Sequence, residues 1–351
     1  MKRITVKAER TYQVNIGCDW RTEIIPLIQG RTRAAIVIST SMRQYYPPLE
    51  VSGTSISIFE IPDGELGKTN ATLESLWNHL GTKGFTRSDL VVAIGGGATT
   101  DIAGFASATW LRGIDWIAVP TTLAGMVDAS VGGKTGINSD FGKNLIGAFH
   151  SPTTVLIDLN WLVTLSDRDF AAGMAEVVKT GFIADEIILT KLAGKSIAEV
   201  RASSDLTTEM IARSLQVKAN VVSEDFKEGF AREILNYGHT MGHAVELHSH
   251  FELRHGEAVA IGLVFIAELA VQLGVMSLEL LALHRRILTD LDLPTSYQSN
   301  AWPELFRLLA LDKKSRGKGL RFVAISEIGK TLRLEVVQEA DLQMAYERVS
   351  K

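Results

Sequence analysis

Short apolar runs that recur between helix-like stretches constrain this chain more than any other feature. Residues 34–38 read AAIVI and residues 90–94 read LVVAI, and 117–119 and 155–157 are shorter runs of the same kind. Aliphatic runs without polar alternation belong to strands covered on both faces, the pattern of a parallel sheet. Between them, residues 71–80 and the stretch from Gly97 through Trp110 have helical character. Strands separated by helices predict a mainly parallel, Rossmann-like α/β sheet. Residues 3–9 and 12–16 alternate as a hairpin does.

After about residue 160 the texture changes. Helical patterns cover 171–183, 207–222, 234–247, 257–273 and 278–291, and a strand pair returns at 320–325 and 332–337. The expectation is an α/β N-terminal domain, residues 1–158, followed by a mainly α-helical domain, residues 159–351. No repeat and no low-complexity linker separates them, so the junction near Asp158 reads as compact. The longest apolar stretch, 258–275, includes Glu268 and Gln272 and reads as a buried core helix rather than a membrane span. The first residues, MKRITVKAERTYQVNIG, carry no apolar core of signal-peptide length, so a soluble cytoplasmic protein is expected. A net charge of −4 argues against nucleic acid as the main partner. The single cysteine, Cys18, excludes an internal disulfide and a cysteine-based zinc cluster. Any metal must therefore be held by His, Asp and Glu.

Three features carry chemistry. The first is LVVAIGGGATTD, a strand running through three glycines into a helix. Glycines let a backbone approach an anion, and the helix N-terminus offers free N–H groups. The sequence is not G-x-G-x-x-G, and GGKT at 132–135 lacks the upstream glycine of a P-loop because that position holds Asp128. The second is TTLAGMVDASVGGKTGINSDFGKN, residues 121–144, which places Asp128, Lys134, Lys143 and Asn144 among glycines and hydroxyls. Lysines on glycine-rich loops suit phosphate or carboxylate groups, and Arg112 could join the same anion pocket from the end of the preceding helix.

The third is histidine. Five of the eight fall between His239 and His255: those two with His243, His248 and His250. His239 and His243 are i and i+4 and share a helical face. Two imidazoles from one segment and a ligand from elsewhere make a metal site with an open position. Glu176, Asp185 and Asp225 are candidates for the remaining ligand. Glu176 fits best, because it sits in the otherwise apolar AAGMAEVVKTG, where a carboxylate is costly unless metal-bound or bridged to a lysine such as Lys179. His79 and His284 read as unremarkable residues on helical surface stretches.

Between residues 62 and 329 the chain carries, in order, PDGELGK, GGGATTDIAGF, WLRGI, VPTTL, VDASVGGKTGIN, GKNLIGAF, AGMAEVVKTG, LNYGHTMGHAVE, HGEAVAIG and DKKSRGKGLRFV. With these motifs it resembles the 3-dehydroquinate synthases. The resemblance implies zinc, with cobalt also suited, on Glu176, His239 and His255. It implies NAD on Asp63, Gly64, Glu65, Leu66, Gly67 and Lys68, on Gly97, Ala98, Thr99, Thr100 and Asp101, on Thr121 and Thr122, and on Lys134 and Lys143, with Trp161, Leu162, Val163 and Thr164 closing over the cofactor. It implies substrate contacts from Arg112, Asp128, Lys134, Asn144, Lys179, Lys218, Arg232, Asn236, Lys313 and Lys314, with proton transfer by His243. The implied reaction turns 3-deoxy-D-arabino-heptulosonate 7-phosphate into 3-dehydroquinate and phosphate by transient oxidation, β-elimination, reduction and aldol closure. A homodimer is implied too. Relatives often differ from this chain at Leu66, Gly67, Thr100, Ala129 and Ser166, none of which is an implied metal ligand or anion-binding side chain. Cyclases making inosose or valiolone rings share the apparatus, and Asn236, Lys218 and Lys179 favour the dehydroquinate reaction. Metal-dependent glycerol dehydrogenases usually present Asp as first ligand where this chain has Glu176.

Overall fold

The structure, a computed structural model, describes residues 1–351 except 141, 228, 230, 317–319 and 336, and omits the side chains of 311–316. The chain forms two compact units, Met1–Leu165 with Lys218–Lys227, and Ser166–Val217 with Glu228–Lys351. The sequence reading placed one boundary at Asp158. The observed division instead falls after Leu165, and a second segment returns to the first unit.

The first unit is built on β1 (Lys2–Lys7), β2 (Thr11–Ile16), β3 (Arg33–Ser39), β4 (Ser55–Ile61), β5 (Leu90–Gly95), β6 (Asp115–Pro120), β7 (Lys134–Ser139), β8 (Gly142–Phe149) and β9 (Thr154–Ile157). Its helices are α1 (Trp20–Ile28), α2 (Asn70–Thr82) and α3 (Gly97–Thr109). Seven strands form one sheet in the order β1-β2-β9-β6-β5-β3-β4, parallel throughout except for the β1–β2 hairpin. Every residue of β5 is buried, as its unbroken apolar run predicts. From β3 the chain moves out to β4 on one side, and from β5 to β6 on the other. Ligands of open α/β sheets gather beyond the carboxyl ends of strands at such a reversal. Gly95 pairs in register with Pro120, and the Thr121 amide donates to the Gly95 carbonyl at 2.9 Å, so the GGG turn and the Thr121–Thr122 turn are neighbours. A Cβ on Gly95 would lie 2.4 Å from Thr99 Oγ1, which requires glycine where the strand meets α3.

The second unit is helical: α4 (Asp167–Ile183), α5 (Glu186–Leu192), α6 (Ile197–Ala202), α7 (Ser204–Glu224, through Val217), α8 (His239–His248), α9 (His255–Gln272), α10 (Leu278–Asp290), α11 (Trp302–Arg316) and α12 (Glu339–Glu347), with the hairpin β10 (Arg321–Glu327) and β11 (Lys330–Glu335). Helix α9 packs against α4, α8, α10, α12 and β10. Among the described residues it is the one helix long and apolar enough to cross a membrane, but 78% of it is buried inside the protein, as expected of a core helix. Ser166 caps α4 by accepting from the Asp169 amide.

Three expectations change. Residues 234–247 are not one helix: a 3-10 turn, Ala231–Asn236, ends before Gly238, whose φ of 78° breaks the helical path, and α8 starts at His239. The lysines read as loop residues lie on an antiparallel hairpin, Lys134 opening β7 and Lys143 on β8. His284 is not on a surface but fully buried.

Candidate active site

In the second unit every residue of α4 from Phe170 to Ile183 is buried, Glu176 among them. A carboxylate there needs compensation. Its Oε2 accepts from the ammonium of Lys179, one turn on and equally buried. Its Oε1 is buried and accepts no hydrogen bond. That oxygen faces Nε2 of His239 at 3.4 Å and Nε2 of His255 at 3.5 Å. The two sequence readings of Glu176, lysine bridge and metal ligand, thus occupy different oxygens.

The imidazoles are aimed by their other nitrogens. His239 Nδ1 lies 3.1 Å from the carbonyl of Tyr237, and His255 Nδ1 lies 3.2 Å from Oε2 of Glu246. A carbonyl and a carboxylate can only accept, so each Nδ1 donates, and in the neutral form each ring would turn its Nε2 lone pair toward Glu176. One ligand atom from each of Glu176, His239 and His255 lies within 4.8 Å of the others. A tetrahedral ion with bonds of about 2.1 Å sets its ligand atoms about 3.4 Å apart. The orphaned Oε1, the spacing and the two-nitrogen, one-oxygen donor set all fit zinc or cobalt.

Burial raises the carboxyl of Glu176, but the Lys179 ammonium and the two imidazoles outweigh it, so it titrates well below the usual carboxylate range. Burial and the charge of Lys179 push His239 down, toward the neutral form a ligand needs. Burial opposes protonation of His255, but its contacts with Glu176 and Glu246 prevail and raise it. The close approach of α9 to α4 depends on Gly256, where a Cβ would lie 1.7 Å from the Ala172 carbonyl oxygen.

The i, i+4 spacing pairs His239 with His243, whereas the geometry pairs His239 with His255. His243 is exposed on the next turn of α8, its ring 5.4 Å from that of His239 and 5.9 Å from that of His255. Asp185 caps α5 and pairs with Arg213 at 3.1 Å, and neither it nor Asp225 joins the cluster. Arg232 is buried in the 3-10 turn that ends at Asn236. Lys313 and Lys314 lie on α11, where side chains are outside the described residues.

In the first unit the carboxyl edge of the sheet gathers most of the expected cofactor residues. A 3-10 turn, Gly64–Gly67, follows β4 and packs on α3. Lys68, nearly inaccessible, donates to Asp101 Oδ2 at 2.6 Å and to Asn144 Oδ1, tying the β4 loop to α3 and to β8. Burial pushes the Asp101 carboxyl up even against the Lys68 charge. Glu65 accepts from Asn138 Nδ2 at 2.6 Å and pairs with Lys143 at 3.0 Å. Helix α3 opens at Gly97 with no side-chain cap. Lys218, buried, donates to the carbonyl and carboxylate of Asp128. Trp161 is buried against Trp20 (centroids 5.8 Å), Leu162 is buried, Thr164 donates to the Trp161 carbonyl, and Val163 is 81% exposed. Leu66 is exposed at the tip of its turn. Arg112 is not brought to this cluster's helix terminus. It follows the far end of α3, and a 13-residue helix is about 20 Å long. Leu111 and Arg112 hold φ values of 50° and 65° there.

The comparisons agree with this geometry. A family model described as 3-dehydroquinate synthase N-terminal matches residues 58–172, and one described as 3-dehydroquinate synthase C-terminal matches residues 173–315. The chain belongs to the 3-dehydroquinate synthase family. The 3-dehydroquinate synthase of Corynebacterium diphtheriae is 47% identical over all of this chain and 99% of its own length. Among solved structures, 2-deoxy-scyllo-inosose synthase complexed with carbaglucose-6-phosphate, NAD+ and Co2+ has a TM-score of 0.86 at 25% identity, covering 99% of this chain and 100% of that one. The 2-epi-5-epi-valiolone synthase of Streptomyces hygroscopicus with NAD+ and Zn2+ has a TM-score of 0.88 at 25% identity, covering 99% of each chain. Sequence reasoning about this 3-dehydroquinate synthase family member missed Glu246, Asn138 and the Tyr237 carbonyl. Glu246 carried a signal that was overlooked, a carboxylate in the apolar GHAVE, the argument that singled out Glu176. A main-chain carbonyl leaves no such signal.

Proposed function

We propose that this chain is a 3-dehydroquinate synthase, a carbon–oxygen lyase that converts 3-deoxy-D-arabino-heptulosonate 7-phosphate into 3-dehydroquinate and phosphate. The observation that carries the reading is the buried, hydrogen-bond-free Oε1 of Glu176 facing two aimed imidazoles, in a chain 47% identical to a 3-dehydroquinate synthase along its whole length. When bound, NAD+ supplies reversible hydride acceptance and the divalent metal supplies Lewis acidity toward a substrate oxygen.

The chain's own residues do the rest. Glu176, His239 and His255 would hold the metal, and Lys179 keeps the Glu176 carboxylate ionised through its other oxygen. His243, exposed beside the ligand imidazoles, moves protons. In the first unit, the glycine turn with Thr99 to Asp101, Thr121 and Thr122 would receive the cofactor, and the uncapped N-terminus of α3 would suit an anionic group of it. Lys68 acts there from within the fold, by fixing Asp101 and Asn144, while Lys134 and Lys143 offer cationic heads. Lys218 holds Asp128 in place. In the second unit, Arg232 and Asn236 are assigned to substrate anions and hydroxyls. The 47% identity to a 3-dehydroquinate synthase favours this ring over those of the two cyclases matched at 25%. A cytoplasmic homodimer belongs to the same reading, and light scattering tests the dimer.

The test is phosphate release from 3-deoxy-D-arabino-heptulosonate 7-phosphate with substoichiometric NAD+. Release without net NADH, abolished by a chelator and restored by zinc, is expected. NADH accumulating on simple polyols, with no phosphate released, would move the chain to dehydrogenase chemistry.

A further inference from the structure

The geometry points to Glu246 as a positioning residue that sets the orientation of His255 and so the affinity of the site for its metal. This rests on the reading of Glu176, His239 and His255 as metal ligands. Glu246 lies seven residues after His239 on α8, two turns along the same face. Only 3% of it is exposed, and its Oε2 meets His255 Nδ1 at 3.2 Å. A carboxylate in that setting is costly without a partner, and His255 is one it has.

The two imidazoles are secured differently. The main-chain carbonyl of Tyr237 anchors His239, whatever side chain stands at that position. A side chain anchors His255, whose own side chain is 35% exposed and open to rotation on that side. Helix α8 therefore supplies one ligand from its first residue and aims the other ligand from its third turn. Without Glu246, Nδ1 loses the carboxylate that fixes the ring, and the ring can turn its Nε2 away from Glu176. Removing such an outer partner of a ligating imidazole typically costs 10- to 100-fold in metal affinity.

The experiment is a zinc titration of the full chain in competition with a chromophoric chelator, for wild type, Glu246→Ala and Glu246→Gln. Visible spectra of the cobalt-loaded proteins are recorded alongside. Glu246→Ala is expected to lose 10- to 100-fold in zinc affinity and to alter the cobalt bands. Glu246→Gln keeps a carbonyl acceptor in place, so it should lose only several-fold and keep the wild-type band positions. Zinc affinity within about twofold of wild type in Glu246→Ala would overturn the assignment. If that variant does not fold, Glu246→Gln decides, and unchanged affinity there overturns it. A wild-type chain that binds no zinc would instead remove the metal reading itself.

Discussion

Gly256→Ala tests the contact on which the metal triad depends. An added Cβ would lie 1.7 Å from the Ala172 carbonyl oxygen and 2.9 Å from the Ala172 Cα. Carbon and carbonyl oxygen approach no closer than about 3.3 Å even in favourable contacts. Helix α9 must therefore withdraw from α4 by about 1.5 Å at its first turn, and both partners are backbone, so no side-chain rotation can relieve the clash. His255 is the residue before, with Nε2 3.5 Å from Glu176 Oε1. A withdrawal of that size along this line opens the gap to about 5 Å, whereas two bonds of about 2.1 Å reach about 4.2 Å even when collinear. One ion can no longer bridge them. Overpacking of this kind costs about 1–3 kcal/mol, and a backbone clash belongs at the upper end. Urea unfolding of the chelated protein should report that loss, and competitive zinc titration should report at least a hundredfold weaker binding. A variant with wild-type stability and zinc affinity would refute the backbone contact between α4 and α9.

Two more substitutions address the second unit's core and the first unit's carboxyl edge. His284 stacks flat on Phe182 (centroids 3.5 Å), donates from Nδ1 to the Leu280 carbonyl and meets the Tyr237 hydroxyl at Nε2, and burial pushes its pKa from 6.5 down to about 4. The unfolded chain therefore takes up this proton first, stability falls as pH drops below 6.5, and His284 should account for about 2 kcal/mol of loss between pH 7 and pH 5. Urea melts of the His284→Gln variant should lack that component, and parallel pH profiles for variant and wild type would refute it. Lys68→Met keeps the length of the side chain but leaves Asp101 and Asn144 without their buried cation. A loss of about 3–5 kcal/mol is expected, and thermal and urea unfolding within about 1 kcal/mol of wild type would show that the pair does not hold the edge together.

The central strands and the long helices were legible because their burial is extreme. The run at β5 and the apolar span of α9 admit few other readings. What escaped lies where burial is mixed or glycine intervenes. β4 is an edge strand with mostly half-buried residues, and its SISIFEI carries no long apolar run. The β7–β8 hairpin is rich in glycine and read as loop, because its order comes from pairing across the hairpin rather than from local preference. Of the site, the ligand triad came through resemblance, since periodicity alone favoured the His239–His243 pair. Gly238, with its positive φ, starts α8 at His239, and His255 likewise opens α9, so the two helix starts meet while His243 lies one turn further along. His284 was misjudged for the opposite reason. A polar residue in a helix suggests a surface, but here both ring nitrogens find partners in the core.

The charges around the triad explain why a lysine is buried beside a candidate metal ligand. Glu176 and Glu246 carry one negative charge each and Lys179 one positive, so these three groups sum to −1 before any ion is bound. A divalent cation turns that into +1. His239 and His255 are the first residues of α8 and α9, and helix N-termini carry partial positive charge. Without Lys179, the cation would be fully offset by two carboxylates and would attract a further negative group only weakly. With Lys179 on Oε2, Glu176 stays ionised in a buried helix and the loaded site retains a positive excess. Such a site favours a substrate that arrives as an anion and builds negative charge on oxygen as it reacts. On that reading, Lys179 would act electrostatically, through its ion pair with Glu176, without touching the substrate.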